Sequence, residues 1–381
     1  GPAESWQIFL NLLTELVFFP TFPEDEMERE KEVVRREMAM YADDPDSVAY
    51  QLLMQTLYLK HPCRWPVLDE RAAFDCLTRQ DVLDYHASRY VPNNVVLSIA
   101  GDVDAAEILS HLELLVEDLK SRPLNREPIP HEPHQFGSRR VRKEFAVPYS
   151  KLHLAWRLPC SAHPDTPALS ALSSILGGGR SARFYEKFHD RLGLVYSIEV
   201  HSNQSETDEG AFTISMDVDR AQRDKVRDMV LQELRNLAEE DFTEDLKRVC
   251  KQTRVSRLRR RSSASGVASE MGADWFGSRN LNLSSEWQEA IERVTTEDLH
   301  RVCSTWLSSP NVTEVSLDPP GSNAGDEERA SASAGTALSE HVLGNGMKVV
   351  IREDHRLPLA YACMAFKAGC RAENEHDAGV T

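Results

Sequence analysis

No apolar run in this 381-residue chain is long enough to span a bilayer. The longest, 8–22, is interrupted by Asn11, Thr14, Glu15 and Pro20, short of the roughly 20 consecutive apolar residues a spanning helix needs. The seven cysteines (63, 76, 160, 250, 303, 363 and 370) are odd in number, scattered and without a C-x-x-C pair. That excludes a disulfide framework and a cysteine-rich zinc site, and predicts mostly buried thiols. Positive charge is also short: 44 Lys and Arg against 61 Asp and Glu give a net −17. Such a surface repels phosphate backbones and anionic lipid, so the partners it predicts include no nucleic acid and no membrane. The chain opens without an initiator Met, a basic leader or a cleavage site, which predicts a start inside a domain.

What is present is globular. Apolar residues make up 41% and charged residues 28%, close to the average of folded domains, and the length predicts two or three domains. Periodicity predicts helices over 25–41, 46–59, 78–90 and 105–119, with a buried strand at 95–100 closed by Gly101-Asp102. Residues 122–137 are rich in Pro and His without periodicity and predict a linker. A second block follows over 138–318, with strands near 142–145, 151–156, 196–201, 212–218 and 312–316 and helices over 167–176, 220–240, 243–261 and 296–307. Residues 319–337, dense in Ser, Ala, Gly and acids, predict a second linker. The last segment, 338–381, predicts strands at 349–351 and 360–366 joined by a turn at Pro358.

The blocks echo one another. Thr78-x-x-Asp81-Val82 with Asn94-Val95 returns as Thr295-x-x-Asp298-Leu299 with Asn311-Val312, displaced by 295 − 78 = 217 positions. A row of related α+β domains, 1–121, 138–318 and 338–381, accounts for this.

The helix over 25–41 carries two acids seven apart, Glu30 and Glu37, which at 3.6 residues per turn fall within about 20° of each other. Val33 and Val34 share that side. The pattern is open between a solvated, salt-bridged helix and a pair of carboxylates poised to hold a cation.

Around this helix stand Phe19-Pro20-x-Phe22, Glu28-Arg29-Glu30-Lys31-x-Val33-Val34-x-x-Glu37, Asp44-Pro45, His61-Pro62 and Tyr90-x-Pro92-x-Asn94-x-x-Leu97-x-x-Ala100-Gly101-Asp102. Downstream come Leu176-Gly177-Gly178-Gly179-x-Ser181-x-x-Phe184, Gly193-Leu194-x-Tyr196-Ser197, Leu343-x-Asn345-Gly346-x-x-Val349 and Ala368-Gly369-x-Arg371-x-Glu373. In order and spacing these blocks resemble the pitrilysin/insulinase family of zinc metallopeptidases, which includes the mitochondrial processing peptidases and their bacterial relatives.

The resemblance implies an α+β fold of repeated domains, each with a mostly antiparallel sheet packed by helices on one face. It also implies a zinc-dependent endopeptidase or oligopeptidase whose paired domains enclose unfolded peptides in a chamber. Family members use an H-x-x-E-H helix, two imidazoles for the metal and a glutamate as base, plus a downstream Glu ligand. Matched motif to motif, that ligand is Glu37, and Glu30 is a supporting carboxylate. Two imidazoles and one carboxylate leave an open position where Zn2+ lowers the pKa of water to about 7. Tyr196 matches a tyrosine that contacts the substrate carbonyl, with burial in the core as the alternative for it. His189 stands where the family has Arg, with Arg191 as a possible substitute. Gly177, Gly178 and Gly179 match a loop at the chamber wall, and no Gly-Lys-[Ser/Thr] follows them to make a phosphate loop.

The departure from the family is that no H-x-x-E-H occurs in these 381 residues. The expectation is therefore a fragment of a longer tandem protein, inactive alone, whose further peptidase-like domains pair within the chain or in an oligomer. His131-Glu132-Pro133-His134 is no substitute, because Pro133 would break the helical turn that aligns the imidazoles. Since the family also has members that lost the metal site, a non-catalytic scaffold or partner subunit is the alternative. The compartment stays open between bacterial cytoplasm and periplasm. The basic run Arg248, Lys251, Arg254, Arg257 and Arg259 to Arg261 reads as a solvated face or a contact for an acidic surface, without the aromatics that RNA binding needs.

Overall fold

The computed structural model describes residues 2–68, 71–124, 128–203, 209–307, 311–321, 338–352 and 362. It falls into two compact units, Gly1–Ala324 and Gly325–Thr381. The larger contains both the first and the second predicted block.

The first block is helical: α1 (Trp6–Phe18), α2 (Glu24–Asp43), α3 (Pro45–Leu57), α4 (Arg71–Asp75), α5 (Arg79–Arg89) and α6 (Ala105–Val116). Local chemistry fixes the ends. Asp44 caps α3 by accepting from the Ser47 amide, and Pro45 occupies its first turn, where a missing N–H costs nothing. Thr78 and Asp81 close a reciprocal capping box on α5. The predicted strand at 95–100 is not one: these residues join no ladder among the described residues. Its run of apolar residues suggested a buried strand, but a strand also needs a partner edge, and this segment lies instead against the helix Ala264–Ser278 of the second block.

The second block is built on strands β1 (Arg139–Glu144) and β2 (Ser150–Leu158), then α7 (Thr166–Gly177) and a wide-turned helical segment, Tyr185–Arg191. There follow β3 (Val195–Asn203), β4 (Gly210–Val218), α8 (Arg223–Asn236), α9 (Thr243–Arg260), α10 (Ala264–Ser278), α11 (Leu283–Glu292), α12 (Thr296–Val302) and β5 (Thr313–Asp318). The five-stranded sheet has the order β1-β5-β2-β4-β3. Only β1 and β5 run parallel; the other pairs are antiparallel. Thr295 and Asp298 form on α12 the same capping box as Thr78 and Asp81 on α5, so the sequence echo is a repeated local structure. Helices α10 and α11 were not legible beforehand: Gly266, Gly272 and Gly277 interrupt the pattern of α10. Gly272 has its own reason, since a Cβ there would sit 2.7 Å from the Ser98 hydroxyl, where 95–100 packs.

The core follows from period-two alternation. Leu152, Leu154 and Trp156 of β2, with Phe212, Ile214 and Met216 of β4, face α7, α8, α9 and α12. On the opposite face Ala155, Ala211 and Val315 meet Leu53, Met54 and Leu57 of α3. The first block thus contributes one helix to the second block's sheet. Residues 128–138 have no regular structure, yet they are fastened: the Glu132 carboxylate accepts from the amides of Leu59, Lys60 and His61 at 2.7–2.9 Å. Burial alone would raise this carboxyl, but the three donors and Arg157 outweigh it and hold it below its ordinary range.

The smaller unit is an antiparallel hairpin of β6 (Leu338–Val342) and β7 (Lys348–Arg352), turning at Asn345-Gly346. The predicted strand 349–351 falls inside β7, but its partner is β6, which was not foreseen. The Pro358 turn and nearly all of 360–366 lie outside the described residues, as does most of the 319–337 linker. The thiols differ from expectation too: among the described residues Cys303 is buried, Cys160 and Cys250 are intermediate, and Cys63 and Cys76 are exposed.

Candidate active site

Glu30 and Glu37 lie on α2, as the spacing predicts, and both are exposed. Neither makes a hydrogen bond or ion pair with a described residue, while their neighbours do: Arg35 pairs with Asp75 at 2.8 Å and Lys31 with Glu28 at 3.2 Å. Arg29, Lys31 and Arg35 of α2 are thus engaged elsewhere, and these two acids are left without a counter-ion among the described residues.

The candidates of the second block gather where β3 begins. Gly177 ends α7 against β3; a Cβ there would come 2.6 Å from Cβ of Val200 and closer to its backbone nitrogen. Gly178 and Gly179 follow on the surface. His189 lies in the wide-turned segment that leads into β3, its ring stacked on Tyr185 at 4.4 Å and its Nδ1 2.7 Å from Asp190. Tyr196 is half exposed at 50%, which removes the alternative of a core tyrosine. Its hydroxyl donates to Asp219 at 2.9 Å, and its ring lies 5.2 Å from that of Tyr149.

Beside Tyr196 is a polar cluster that motif reasoning missed. Lys151 of β2 donates to Asp46 of α3 at 2.6 Å and to Asp217 of β4 at 3.1 Å, and Ser197 donates to the other oxygen of Asp217 at 2.9 Å. Burial lowers the affinity of Lys151 for its proton, but the two carboxylates more than offset this and hold its pKa above the ordinary value. Next on the same face, His153 shares a hydrogen bond with the Ser215 hydroxyl at 2.8 Å. Burial, with Lys151 nearby, pushes this imidazole down to about 4. The available signal was the alternation of β2, which puts Lys151, His153 and Arg157 on one face opposite Leu152, Leu154 and Leu158.

The cluster joins α3 to the sheet beside Tyr196. As a zinc centre the described residues do not suffice, because no group of three or more His, Cys, Asp or Glu among them could hold a metal. Glu37 offers one carboxylate ligand. His131 and His134 are exposed, and Glu132 serves the backbone, so that motif is structural, as Pro133 implied. No described helix is long and apolar enough to cross a membrane.

Comparison with known proteins points in one direction. The family profile for the peptidase M16 inactive domain matches residues 77–252. A protein named zinc protease PqqE from Helicobacter pylori is 24% identical over 319 residues, 81% of this chain and 71% of its own length. An uncharacterized zinc protease from Rickettsia felis is also 24% identical, over 81% of this chain and 74% of its own. Among solved structures, a protease from Helicobacter pylori superposes with a TM-score of 0.74 at 24% identity, covering 83% of this chain and 77% of its own. A peptidase M16 inactive domain from Pseudomonas fluorescens gives 0.74 at 21% identity, over 83% and 75%.

Proposed function

Because the chain belongs to the M16 family of pitrilysin/insulinase-like peptidases, we propose that it forms part of a zinc-dependent endopeptidase acting on unfolded peptides held between peptidase-like domains. The observation that carries this is Glu37, an exposed carboxylate with no counter-ion among the described residues, on a helix matched motif by motif to the one that carries the family's third ligand. Glu37 would hold the metal jointly with two imidazoles that these 381 residues do not provide as an H-x-x-E-H motif. Zinc, when bound, supplies Lewis acidity toward the scissile carbonyl.

The chain's own residues orient and exclude. Glu30, one heptad before Glu37 on α2, steadies the ligand's surroundings as a supporting carboxylate. The Tyr196 hydroxyl is a donor now given to Asp219; on substrate binding it exchanges that acceptor for the carbonyl oxygen. His189 takes the position of the family's Arg, its Nδ1 2.7 Å from the Asp190 carboxylate. The turn 177–179 forms part of the chamber wall. Proposed partners are peptide or unfolded-protein substrates and further peptidase-like domains, in the same chain or in an oligomer, without nucleic acid.

The test is zinc content and peptide hydrolysis of the protein expressed from its complete reading frame, wild type against Glu37→Gln. Loss of a carboxylate ligand lowers zinc affinity and turnover together, roughly 10- to 100-fold or more. A wild type without zinc, or a variant that keeps both, would leave the second reading, a scaffold or partner subunit. That reading is favoured by the match to an inactive domain.

A further inference from the structure

Away from the sheet face that bears Tyr196, the helical side of the second block holds a cleft of about 1080 Å³ between α7, α9, α10 and α11. Its size suits a bound ligand, and its lining sets polar groups, Ser174, Gln252, Arg260, Glu270 and Gln288, among apolar surface that includes Trp287. The second unusual feature is Glu270, whose side chain is 7% exposed. Its Oε1 accepts from Arg257 at 3.0 Å and Arg261 at 3.4 Å. Its Oε2 is buried and receives no hydrogen bond. A buried carboxylate oxygen without a donor is costly, and Arg257 already commits four of its five N–H donors to Oε1 of Glu270, Ser285 and Gln288. The site calls for an N–H from outside.

The charge around it selects the rest of the ligand. Arg248 pairs with Asp245, Arg254 with Glu292, and Arg257 and Arg261 with Glu270. Arg259 and Arg260 make no ion pair with a described residue, and Arg260 lines the cleft. Two unpaired guanidinium groups in a chain of net charge −17 attract carboxylates. We propose that this cleft binds an extended acidic peptide segment, a backbone N–H donating to Oε2 of Glu270 and acidic side chains pairing with Arg260 and Arg259. A peptide offers N–H donors and carboxylates together. A nucleic acid brings phosphates against Glu270 and finds one indole to stack on, so it fits less well. The cleft shares Gly178 with the turn assigned above to the chamber wall, but none of its residues belongs to the metal or carbonyl-contact set, so its peptide binding can fail or hold separately from hydrolysis.

Fluorescence anisotropy of a dye-labelled ten-residue peptide of alternating Glu and Gly, titrated with the 381-residue chain, tests it. The expected result is saturable binding that weakens with salt and falls about tenfold in Arg259→Ala/Arg260→Ala, a change at exposed positions that leaves the fold intact. Glu270→Gln, checked for native circular dichroism, weakens it as well, and the corresponding Lys-Gly peptide does not bind. Absence of saturable binding, indifference to the double arginine change, or equally tight binding of a ten-nucleotide oligo-dT would each overturn the proposal.

Discussion

Lys151 on β2 and Asp46 at the start of α3 meet at 2.6 Å across 105 residues of chain. The pair fastens the first block to the sheet of the second. Lys151 is nearly buried and Asp217, its other partner, is mostly so, whereas the Asp46 side chain is 73% exposed.

The two ends of this bridge should therefore differ in cost. Lys151→Met leaves Asp217 without its cation in a semi-buried place and is expected to destabilise by about 2–3 kcal/mol. Asp46→Asn loses an exposed partner and should cost under about 1 kcal/mol. Midpoints of urea unfolding for the two variants check the order; equal losses would show that the bridge is not what anchors α3.

His153 gives stability a pH dependence with a definite sign. Its folded pKa of about 4 lies below the ordinary 6.5, so between these values the unfolded chain binds the extra proton. The contribution is complete above about pH 6.5, declines as pH falls toward 4, and is fully lost below that. Its size is on the order of 3 kcal/mol. Unfolding free energies measured at pH 7 and pH 4.5 should fall further apart in the wild type than in His153→Gln, in which that slope is flattened.

Gly177 is fixed by space. A Cβ overlaps the Val200 backbone of β3, which cannot yield without moving the sheet edge, so Gly177→Ala should cost about 2–4 kcal/mol. At Gly179 the space is open but φ is +104°, and alanine there should cost about 1 kcal/mol. Thermal unfolding of both variants distinguishes a packing glycine from a turn glycine. If Gly179→Ala proved the worse, the turn at 178–179 would be the constrained element.

The two capping boxes should behave alike. Thr78→Val and Thr295→Val each remove the side-chain acceptor for a helix N–H and are expected to cost about 1 kcal/mol. Amide hydrogen exchange at Asp81 and Asp298 reports whether each first turn has frayed.

Much of the architecture was legible in order of sequence. Helices α2, α3, α5 and α7 and strands β2 to β5 were signalled by periodicity, and their ends by short-range chemistry such as Asp44 before Pro45 or Thr78 before Asp81. The repeat of Thr78 and Asp81 as Thr295 and Asp298 was visible for the same reason: a capping box spans four residues, so its geometry is written in four letters. What failed also had local causes. Three glycines hid α10, and 95–100 had the apolar run of a strand.

The candidate site divides along the same line. Seven-residue spacing placed Glu30 and Glu37 together on α2, and matched motifs supplied Tyr196, His189 and Gly177 to Gly179. The exposure of Tyr196, its bond to Asp219, and the joining of Lys151 to Asp46 and Asp217 came only from the folded chain. Alternation in β2 said that Lys151 and His153 share a face, not that α3 would cover one part of it and leave Tyr196 open.

By itself, then, the sequence determined most of the helices and strands, several of their caps and the net acidic charge, because each follows from composition or from neighbours a few residues apart. Tertiary structure alone decided that α3 crosses the sheet, that Glu132 holds three amides of a distant turn, and that Glu270 keeps one oxygen without a donor. Those outcomes depend on which surfaces meet after dozens of residues of chain have closed, and burial, which gives a carboxylate or an imidazole its chemistry, exists only once they have met.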